Sequence, residues 1–327
     1  MVRFKLIVLY CCAFALLHVQ LCLALITEAD KAIFKETYRR VINCLKTGRV
    51  GRKEAFNWRN VRFPDDAEEH YSSLLNQTLK FRNGIRPHSY TGYSGKWLEN
   101  YFIEDYSFRP LHAFGGLIPI FAQWTDIHVH TLMNDGGMSH LPNDTFSTLH
   151  KHVRAMLRPD VLYVAVSQDD QGLFQLSKHV PNLLSLSAGG YGNVALPLIK
   201  DELAYQEFPN PILGNLSFNW VSTVGFYGGA WQFGTVRPFL IRDFTKLLAK
   251  KGVQLKHMKA RPDWQNLIAH TKFNLAPRGF GRTSFRLAEI IQIGRIPIYL
   301  YSDVPWIPYP GTNISMENFA YLANKIT

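Results

Sequence analysis

Two arginines flank a glycine-containing loop in the last third of the chain, and this arrangement suits the binding of a diphosphate. The stretch reads Pro277-Arg278-Gly279-Phe280-Gly281-Arg282-Thr283-Ser284. A helix that begins after such a loop presents free backbone N–H groups, which bind phosphate oxygens. Arginine adds forked guanidinium donors, which match a diphosphate better than lysine does. The sequence therefore predicts a phosphate-binding loop with Arg278 and Arg282 as its charged donors.

The residues after this loop predict a helix with two charges on one face. Thr283 and Ser284 are favourable N-cap residues, and Gly294 stands where a glycine ends a helix. At about 100° per residue, Arg286 and Glu289 fall on the same face, whereas most other positions are apolar. The Glu289 carboxylate could accept hydrogen bonds from ribose hydroxyls. An exposed Arg286–Glu289 ion pair is the alternative, because helices carry such pairs routinely.

The elements that would position these residues alternate between strand and helix from about Trp97 onward. Apolar runs predict strands at residues 117–122, 161–166, 221–226, 273–276 and 296–300. Helical patterns occur at residues 28–45, 146–157 and 236–250. Buried strands separated by helices favour parallel sheets covered on both faces. We therefore expect an α/β fold of two doubly wound domains with a cleft between them.

The amino terminus predicts entry into the secretory pathway. A tail at residues 1–5, which includes Arg3 and Lys5, precedes an apolar run at residues 6–26. These 21 residues can cross a hydrocarbon core of about 30 Å. Basic residues before the span favour a single-pass type II protein of the Golgi or endoplasmic reticulum membrane, with its body in the lumen. A cleaved signal peptide followed by secretion is the alternative.

Composition agrees with a lumenal protein that has an anionic partner. The 36 Lys and Arg residues exceed the 25 Asp and Glu residues, which gives a net charge of +11. The 47% of hydrophobic residues argue against global disorder. Acceptor sites for N-glycosylation occur at Asn76, Asn143, Asn215 and Asn313. We expect no nucleic-acid partner, because such a partner explains the charge but neither the apolar run nor these acceptor sites.

Cysteine usage restricts how the body of the protein is held together. Three of the four cysteines lie in the apolar run, which leaves Cys44 alone outside it. The body of the chain therefore has no internal disulfide and no cysteine-based zinc site, and its stability depends on its hydrophobic cores. Cys44 is expected either to be free or to pair between chains.

Several motifs resemble the exostosin family of glycosyltransferases over roughly residues 97–309. The similarity is strongest at residues 272–308, where it rests on Lys272-Phe273, Pro277-Arg278-Gly279, Ser284-Phe285-Arg286, Glu289 and Gly294-Arg295-Ile296-Pro297-Ile298. Weaker similarity is found at residues 168–172, 188–190, 196–198 and 225–229, and at Val236-Arg237. Arg295 departs from the pattern, because the family usually has a cysteine at that position.

The resemblance implies a GT-B fold, in which two Rossmann-like domains face each other across a cleft. On this basis we expect an N-terminal acceptor domain at residues 96–212 and a C-terminal donor domain at 213–327. A stem and irregular N-terminal region would occupy residues 27–95. The implied reaction is inverting transfer of a sugar from a nucleotide diphosphate sugar to a glycan acceptor. Whether a hexosyl, pentosyl or glucuronosyl group moves is left open.

The resemblance also implies roles for individual residues. It assigns the diphosphate to Arg278, Arg282 and Ser284, the ribose to Glu289, and the phosphates or donor sugar to Arg237. The predicted donor-binding set is completed by Gly279, Thr283 and Arg286. Arginines and a helix N-terminus can neutralise a leaving diphosphate, so we expect no metal and no other cofactor.

Inverting transfer needs a general base near the acceptor hydroxyl, and Asp170 is the predicted base. Asp169 and Asp170 follow the predicted strand at residues 161–166, at the edge of the sheet where such sites form. A loop-capping role is the alternative for either aspartate. Their spacing does not fit the Asp-X-Asp motif of metal-dependent transferases.

A second group of polar residues alternates along the chain at Asp126, His128 and His130. In a strand these three side chains would share one face, which zinc ligands can exploit. No fourth ligand is identifiable, and the alternative is an exposed strand edge. We therefore predict no metal site here.

Two further functions compete with an active glycosyltransferase, which itself could act with a partner transferase. A catalytically inactive lumenal relative would bind glycan or accompany an active enzyme. It is suggested by the 18 residues that follow Tyr309, where family members usually continue further. A sulfotransferase would also need a phosphate loop beside a strand. The chain lacks a Gly-x-x-x-x-Gly-Lys loop of that kind.

Overall fold

Two parallel β-sheets, one in each half of the chain, form the framework of the protein. The computed structural model describes residues 27–47, 56–79, 88–90, 93–132, 145–200, 222–228, 236–259 and 262–324. Within these residues lie a sheet of four strands, here called the first sheet, and a sheet of five strands, here called the second sheet. Helices accompany both sheets. The predicted α/β class is therefore confirmed, and the two parallel sheets are consistent with two Rossmann-like domains.

The strands of the first sheet are neighbours in space in the order in which they occur along the chain. A short antiparallel pair precedes them, formed by β1 (His88–Tyr90) and β2 (Tyr93–Gly95). The sheet itself consists of β3 (Ile118–Ile120), β4 (Tyr163–Ser167), β5 (Leu183–Ser187) and β6 (Val194–Ala195). All pairings in it are parallel. The carboxyl ends of its strands therefore lie at one edge.

Helices cover both faces of the first sheet. They are α1 (Glu28–Thr47), α2 (Ala67–Leu79), α3 (Leu98–Tyr106), α4 (Trp124–Leu132), α5 (Thr145–Met156) and α6 (Phe174–Ser177), with 3₁₀ turns at Trp58–Asn60 and Leu111–Phe114. Apolar side chains of α2 to α6 form one core cluster with β3, β4 and β5. Parallel sheets are stable when both of their faces are covered in this way.

Helix α1 packs on the first sheet through a separate cluster. Its residues Tyr38 and Leu45 are buried with Leu117 and Leu162, and the Tyr38 hydroxyl donates a hydrogen bond to the Gly116 carbonyl at 2.9 Å. The apolar residues of α1 recur at helical spacing, which gives the helix one face for the core. The span at residues 27–95, which we expected to be a stem and irregular region, thus contributes two helices to the packing of the first sheet.

In the second sheet, the side on which successive strands are added reverses after the second strand. Its strands are β7 (Ser222–Tyr227), β8 (Leu255–Met258), β9 (Thr271–Pro277), β10 (Ile296–Tyr301) and β11 (Tyr321–Asn324), and their spatial order is β11-β10-β9-β7-β8. After β8 the chain returns past β7 to form β9, and later strands are added on that side. In open α/β sheets a ligand crevice lies at the carboxyl ends of the strands where the order reverses. Here that point lies between β7 and β9.

Helices lie on both faces of the second sheet as well. They are α7 (Arg237–Lys250), α8 (Trp264–Ala269) and α9 (Phe285–Gln292), with a 3₁₀ turn at Met316–Asn318. Leu240 and Ile241 of α7 pack with strand residues in one cluster. Ile268 of α8 and Ile290 of α9 are buried in another. Helix α9 therefore begins directly at the carboxyl edge of the sheet, after the loop that follows β9.

Most of the predicted elements are found at their expected positions. The predicted strands correspond to β3, β4, β7, β9 and β10, and the predicted helices to α1, α5 and α7. The strand geometry considered for Asp126 and His128 is wrong, because both residues lie in helix α4. Residues i and i+2 of a helix, such as Asp126 and His128, lie about 200° apart around the helix axis. These side chains therefore do not share a face.

Arg295 has a structural role just after the end of α9. Its side chain is buried, and its Nε donates to the Ala269 carbonyl at 2.6 Å. Its Nη1 donates to the carbonyls of Gly294 at 3.1 Å and Ile293 at 3.3 Å. These acceptors lie at or beyond the ends of α8 and α9, where helices leave carbonyls without partners. Arg295 thus links the ends of two helices.

No helix within the described residues is both long and apolar enough to cross a membrane. The apolar run at residues 6–26 and the tail at residues 1–5 lie outside the described residues.

Candidate functional site

The loop at residues 278–284, here called the arginine loop, lies where the carboxyl ends of the two sheets meet. The backbone N–H of Arg282 donates to the Gly189 carbonyl at 2.9 Å, and the Thr283 hydroxyl donates to the Ala188 carbonyl at 2.9 Å. Gly189 and Ala188 follow β5 of the first sheet, whereas the arginine loop follows β9 of the second. A molecule bound at this loop would therefore be close to both halves of the protein.

Glycines make this close approach possible. A Cβ atom on Gly281 would lie 2.0 Å from the Gly189 carbonyl oxygen. A Cβ atom on Gly190 would lie 2.3 Å from the Cβ of Arg282, and Gly190 also has a φ of +120°. Side chains are excluded at both positions because real contacts of this kind are never so short. The glycines of the two segments therefore serve the contact between the sheets as much as they serve a ligand.

Arg278 is buried and is used by its own loop. Its Nε donates to the Gly281 carbonyl at 2.9 Å, and its Nη2 donates to the Phe280 carbonyl at 3.2 Å. Its Nη1 donates to the Ser302 hydroxyl at 3.0 Å and to Asp303 at 2.9 Å. The guanidinium has five N–H donors in total, so these contacts use most of them. The geometry gives Arg278 the role of shaping the arginine loop.

Arg282 is less buried and connects the same carboxylate to the first sheet. Its Nε and Nη2 contact Asp303 Oδ2 at 2.9 and 2.8 Å. Its Nη1 donates to the Gly190 carbonyl at 3.1 Å, and its guanidinium carbon lies 4.2 Å from the centre of the Tyr191 ring. Tyr191 thus provides a flat surface for the cation. Of the two predicted phosphate-binding arginines, Arg282 is the one nearer to solvent.

The other predicted members of the donor set surround the same loop. Gly279 closes it, because its N–H donates to the Thr283 carbonyl at 3.0 Å. Ser284 is at the N-cap position of α9, although its side chain does not cap the helix. Arg237, the first residue of α7, donates from Nε to the Arg278 carbonyl at 3.3 Å. The structure therefore brings Arg237, Gly279, Thr283 and Ser284 together with the two loop arginines.

A buried charged cluster lies on the first turns of α9. Arg286 Nη1 lies 3.1 Å from Glu289 Oε2, and Lys200 Nζ lies 3.9 Å from Glu289 Oε1. The Arg286 guanidinium also stacks over the Trp264 ring at 4.3 Å. A Cβ atom on Gly228, the residue after β7, would lie 3.3 Å from Arg286 Nη2. The cluster is therefore at the reversal point between β7 and β9.

The burial of this cluster distinguishes it from an ordinary surface ion pair. The side chains of Glu289 and Lys200 are 8% and 7% exposed. Burial lowers the pKa of Arg286 from its usual value, and the charge of Glu289 opposes that effect. Two cations thus surround one carboxylate in a poorly solvated place, where an excess positive charge attracts an anion or a polar ligand. The Arg286–Glu289 ion pair that we considered as an alternative does form, but it is not exposed.

Acidic and imidazole groups meet at the carboxyl end of β4 in the first sheet. Asp169 is buried, and its carboxylate hydrogen-bonds Nδ1 of His128 in α4. The second oxygen of Asp169 accepts the N–H of Gln171 at 2.8 Å. An imidazole held by a carboxylate in this way can act as a general base, because the carboxylate fixes its orientation and stabilises its protonated form.

Asp170, the predicted base, lies beside this pair and contacts the arginine loop. Its side chain reaches solvent, but the protein atoms crowded around its carboxyl desolvate it. This desolvation, together with the charge of Asp169, raises the pKa of Asp170 to about 6. A hydrogen bond from the Gly281 backbone opposes the shift. Asp170 therefore has the proton affinity of a general base and also holds the loop.

A buried hydrogen-bond network lies next to Asp169 and His128, between α3, the start of α4 and the end of β4. Glu99 accepts the N–H of Thr125 at 2.6 Å and the N–H of Gln168 at 3.0 Å. Burial raises the pKa of Glu99 to about 7. The Asn100 side chain donates to Asp126 at 2.9 Å. Asp126 thus belongs to this network and orders α4, which carries His128.

The structure adds four residues to the site that the sequence did not indicate. They are Lys200, Trp264, Asp303, and His128 in its pairing with Asp169. Their contacts join positions far apart in the chain, and none belongs to a motif. Asp303 carried one usable signal, because it lies three residues after the predicted strand at 296–300 and is therefore expected near the carboxyl edge of the sheet.

Among the residues that the structure describes, no group of three or more histidine, cysteine, aspartate or glutamate side chains is placed to hold a metal ion. Arginine, lysine and backbone N–H groups instead dominate the second-sheet side of the site. The arrangement is suited to binding an anion and to moving a proton nearby. The chain matches no protein-family model, and no curated protein is significantly similar to it.

Proposed function

We propose that the protein is an exostosin-type glycosyltransferase that moves a sugar from a nucleotide diphosphate sugar to a glycan acceptor. One observation carries this proposal: the arginine loop and the start of α9 lie at the carboxyl ends of both sheets, next to the reversal point between β7 and β9. Ligands of open α/β sheets bind at such a point. The motifs shared with exostosins lie in this loop and helix.

The proposed donor lies along the start of α9. Its diphosphate would interact with Arg282, with the N-terminal N–H groups of α9 and with Arg237, while Arg278 holds the loop in shape. Its ribose would bind at Glu289, which Arg286 and Lys200 keep in place. Phosphate at a helix N-terminus gains from both free N–H groups and the helix dipole. The two sheets would then correspond to the acceptor and donor domains of a GT-B enzyme.

The proposed chemistry is inverting transfer without a metal ion. A base removes the proton of the acceptor hydroxyl, the hydroxyl oxygen bonds to the anomeric carbon, and the nucleoside diphosphate leaves. Positive charge at the arginine loop stabilises the charge that develops on the leaving group. Two groups are candidates for the base, namely His128 oriented by Asp169, and Asp170. His128 is the better candidate, because the Asp170 carboxyl is also used to hold Gly281.

The proposal includes a place in the cell. Transfer to a glycan in the Golgi or endoplasmic reticulum lumen agrees with the apolar run at residues 6–26, which would anchor the protein in the membrane, and with the glycosylation acceptor sites. The body would then act on the lumenal side, alone or with a partner transferase. Cleavage of the run and secretion is the alternative.

A second candidate function is that of an inactive relative that binds glycan or accompanies an active transferase. The observation that favours it is the contact of Asp303 with both Arg278 and Arg282. A carboxylate in that position neutralises part of the charge that a donor diphosphate needs. The two candidates differ in one measurable property, which is the binding of a nucleotide diphosphate sugar.

The test is calorimetric titration of the full-length protein in detergent with a panel of nucleotide diphosphate sugars. We expect at least one to bind, and Arg282→Ala to weaken its binding about 10- to 100-fold, as for charge-assisted hydrogen bonds. Glu289→Ala should weaken nucleotide sugar binding but leave the binding of inorganic pyrophosphate unchanged. Arg39→Ala is the control, because Arg39 is an exposed arginine of α1. If no nucleotide diphosphate sugar of the panel binds, the result would contradict the proposed transferase activity and favour the inactive relative.

A further inference from the structure

Asp303 contacts the guanidinium groups of both arginines in the arginine loop. Its Oδ1 accepts a hydrogen bond from Arg278 Nη1 at 2.9 Å. Its Oδ2 accepts from Arg282 Nε at 2.9 Å and contacts Arg282 Nη2 at 2.8 Å. Two guanidinium groups therefore converge on one carboxylate. Carboxylate and phosphate present the same paired oxygens to the fork of an arginine, so either group can satisfy these donors.

Asp303 is the most accessible member of this group. Its side chain is 39% exposed, whereas those of Arg278 and Arg282 are 8% and 19% exposed. It lies two residues after β10, at the carboxyl edge of the second sheet. Desolvation raises its pKa, but the hydrogen bonds and charges of Arg282 and Arg278 outweigh that effect and lower it below the usual value. Asp303 is therefore ionised and lies on the solvent side of the arginines.

The arginines do not depend on Asp303 for their positions. Arg278 is also held by the carbonyls of Gly281 and Phe280 and by the Ser302 hydroxyl. Arg282 is also held by the Gly190 carbonyl and by the Tyr191 ring. These contacts remain when the Asp303 side chain rotates away. The loop therefore keeps its shape while its two cations become available to another anion.

We propose that Asp303 occupies the anion subsite of the unliganded protein and that the diphosphate of a bound donor displaces it. The inference rests on the proposed function, because it assigns the displacing anion to a nucleotide diphosphate. Without ligand, the carboxylate keeps the two cations partly neutralised. After transfer, the return of Asp303 to the arginines competes with the nucleoside diphosphate product and so speeds its release. Asp303 thus lowers affinity for the anion at this site.

The experiment compares the full-length protein with its Asp303→Asn variant by calorimetric titration with inorganic pyrophosphate and with the nucleoside diphosphates of the donor panel. Asparagine keeps the size of the side chain but removes the competing charge. If the carboxylate occupies the subsite in about nine of ten molecules, the variant binds these anions about tenfold more tightly. Asp66→Asn is the matched control, because Asp66 pairs with Arg158 away from the site. This variant should bind pyrophosphate and the nucleoside diphosphates as tightly as the unmodified protein does.

The outcomes separate this inference from the proposed function. Weaker anion binding by Asp303→Asn would show that the carboxylate positions the arginines, which overturns the inference and leaves the transferase proposal intact. Tighter pyrophosphate binding by the variant, with no nucleotide sugar bound by either protein, would support Asp303 as the occupant of an anion subsite. It would contradict both the transferase and the nucleotide diphosphate as the displacing anion. Absence of binding by both proteins to every probe overturns both proposals.

A structure of the unmodified protein with pyrophosphate provides a second test that needs no variant. We expect the pyrophosphate oxygens to contact Arg282 and the Asp303 side chain to have rotated away from it. Pyrophosphate bound elsewhere, with Asp303 still on both arginines, would overturn the inference.

Discussion

The Asp170 carboxyl accepts a hydrogen bond from the backbone of Gly281, and this contact fastens the arginine loop of the second sheet to the end of β4 in the first. The fit is close, because a Cβ atom on Gly281 would lie 3.0 Å from Asp170 Oδ1 and 2.0 Å from the Gly189 carbonyl oxygen. The loop that we propose to bind phosphate is therefore shaped by both halves of the chain. A change in their contact should alter anion binding even where no arginine is touched.

Gly281→Ala tests this dependence. The added methyl group must displace one backbone or the other, and overpacking of this kind costs about 1–3 kcal/mol. We expect a melting temperature lower by about 2–10 °C, together with weaker binding of pyrophosphate. Both are measured on the purified protein by thermal unfolding and titration.

Gly252→Ala is the control for that prediction. Gly252 has a φ of +70°, and a Cβ atom added to it would have no neighbour within 4 Å. Its replacement should cost about 1–2 kcal/mol through backbone strain but leave pyrophosphate binding unchanged. Equal loss of pyrophosphate binding in the two variants would mean that the contact at Gly281 has no special importance.

The framework of the second sheet was predictable because its strands and α9 carry strong local signals. The apolar runs of β7, β9 and β10 are long enough to indicate buried strands, and Ser284 and Gly294 mark the two ends of α9. Strands β8 and β11 are short and partly exposed at the sheet edges, so they lack a continuous apolar run. Edge strands of this kind are defined by their neighbours rather than by their own residues.

Helix α4 shows how a local pattern can mislead. The alternation of Asp126 and His128 suggested a strand, but Trp124 and Ile127 are both buried in the core at helical spacing. Asp126 is polar but buried, and Asn100 of α3 donates a hydrogen bond to it. A buried polar residue with a partner from another helix breaks the usual link between polarity and exposure. The pairing of His128 with Asp169 could not be predicted either, because the two residues are far apart in the sequence.

Arg295→Met tests the structural role of the buried Arg295 side chain. Methionine fills similar space but leaves buried carbonyls at the ends of α8 and α9 without donors. Each unsatisfied group costs about 1–3 kcal/mol, so we expect clear destabilisation in denaturant unfolding. Arg242→Met is the control, because Arg242 is exposed and pairs with its neighbour Asp243; it should change stability by less than about 0.5 kcal/mol. Similar stability of both variants would contradict the role given to Arg295.

The buried carboxyl of Glu99 predicts how stability depends on pH. Burial raises its pKa to about 7 in the folded protein, whereas an unfolded chain has a value near 4.3. Between these values the folded state binds more protons than the unfolded state, so its stability falls as pH rises from about 4.5 to 7. The full shift corresponds to an upper limit of about 3–4 kcal/mol.

Glu99→Gln isolates this contribution. The variant does not titrate at that position, so the free energy of unfolding should fall less steeply between pH 4.5 and 7 than in the unmodified protein. Glu104→Gln is the control, since Glu104 is an exposed partner of Lys96, and its pH profile should follow that of the unmodified protein. Identical slopes for Glu99→Gln and the unmodified protein would contradict the raised pKa.

The choice of base is tested with His128→Gln and Asp170→Asn, once a nucleotide sugar that binds has been identified. If His128 takes the proton, His128→Gln should lower the turnover of that donor about 100-fold or more and leave its affinity unchanged. Asp170→Asn should leave turnover and donor affinity nearly unchanged, because its amide oxygen can still accept the hydrogen bond from the Gly281 backbone. Turnover is measured as release of nucleoside diphosphate, and affinity by titration.

Asp169→Asn separates orientation of the base from proton transfer itself. An amide at position 169 can still hydrogen-bond His128 but cannot stabilise its protonated form, so turnover should fall while donor affinity stays the same. The opposite pattern is a loss of turnover in Asp170→Asn at unchanged affinity, with His128→Gln fully active. That pattern would return the role of base to Asp170 and leave the His128–Asp169 pair as a support for α4.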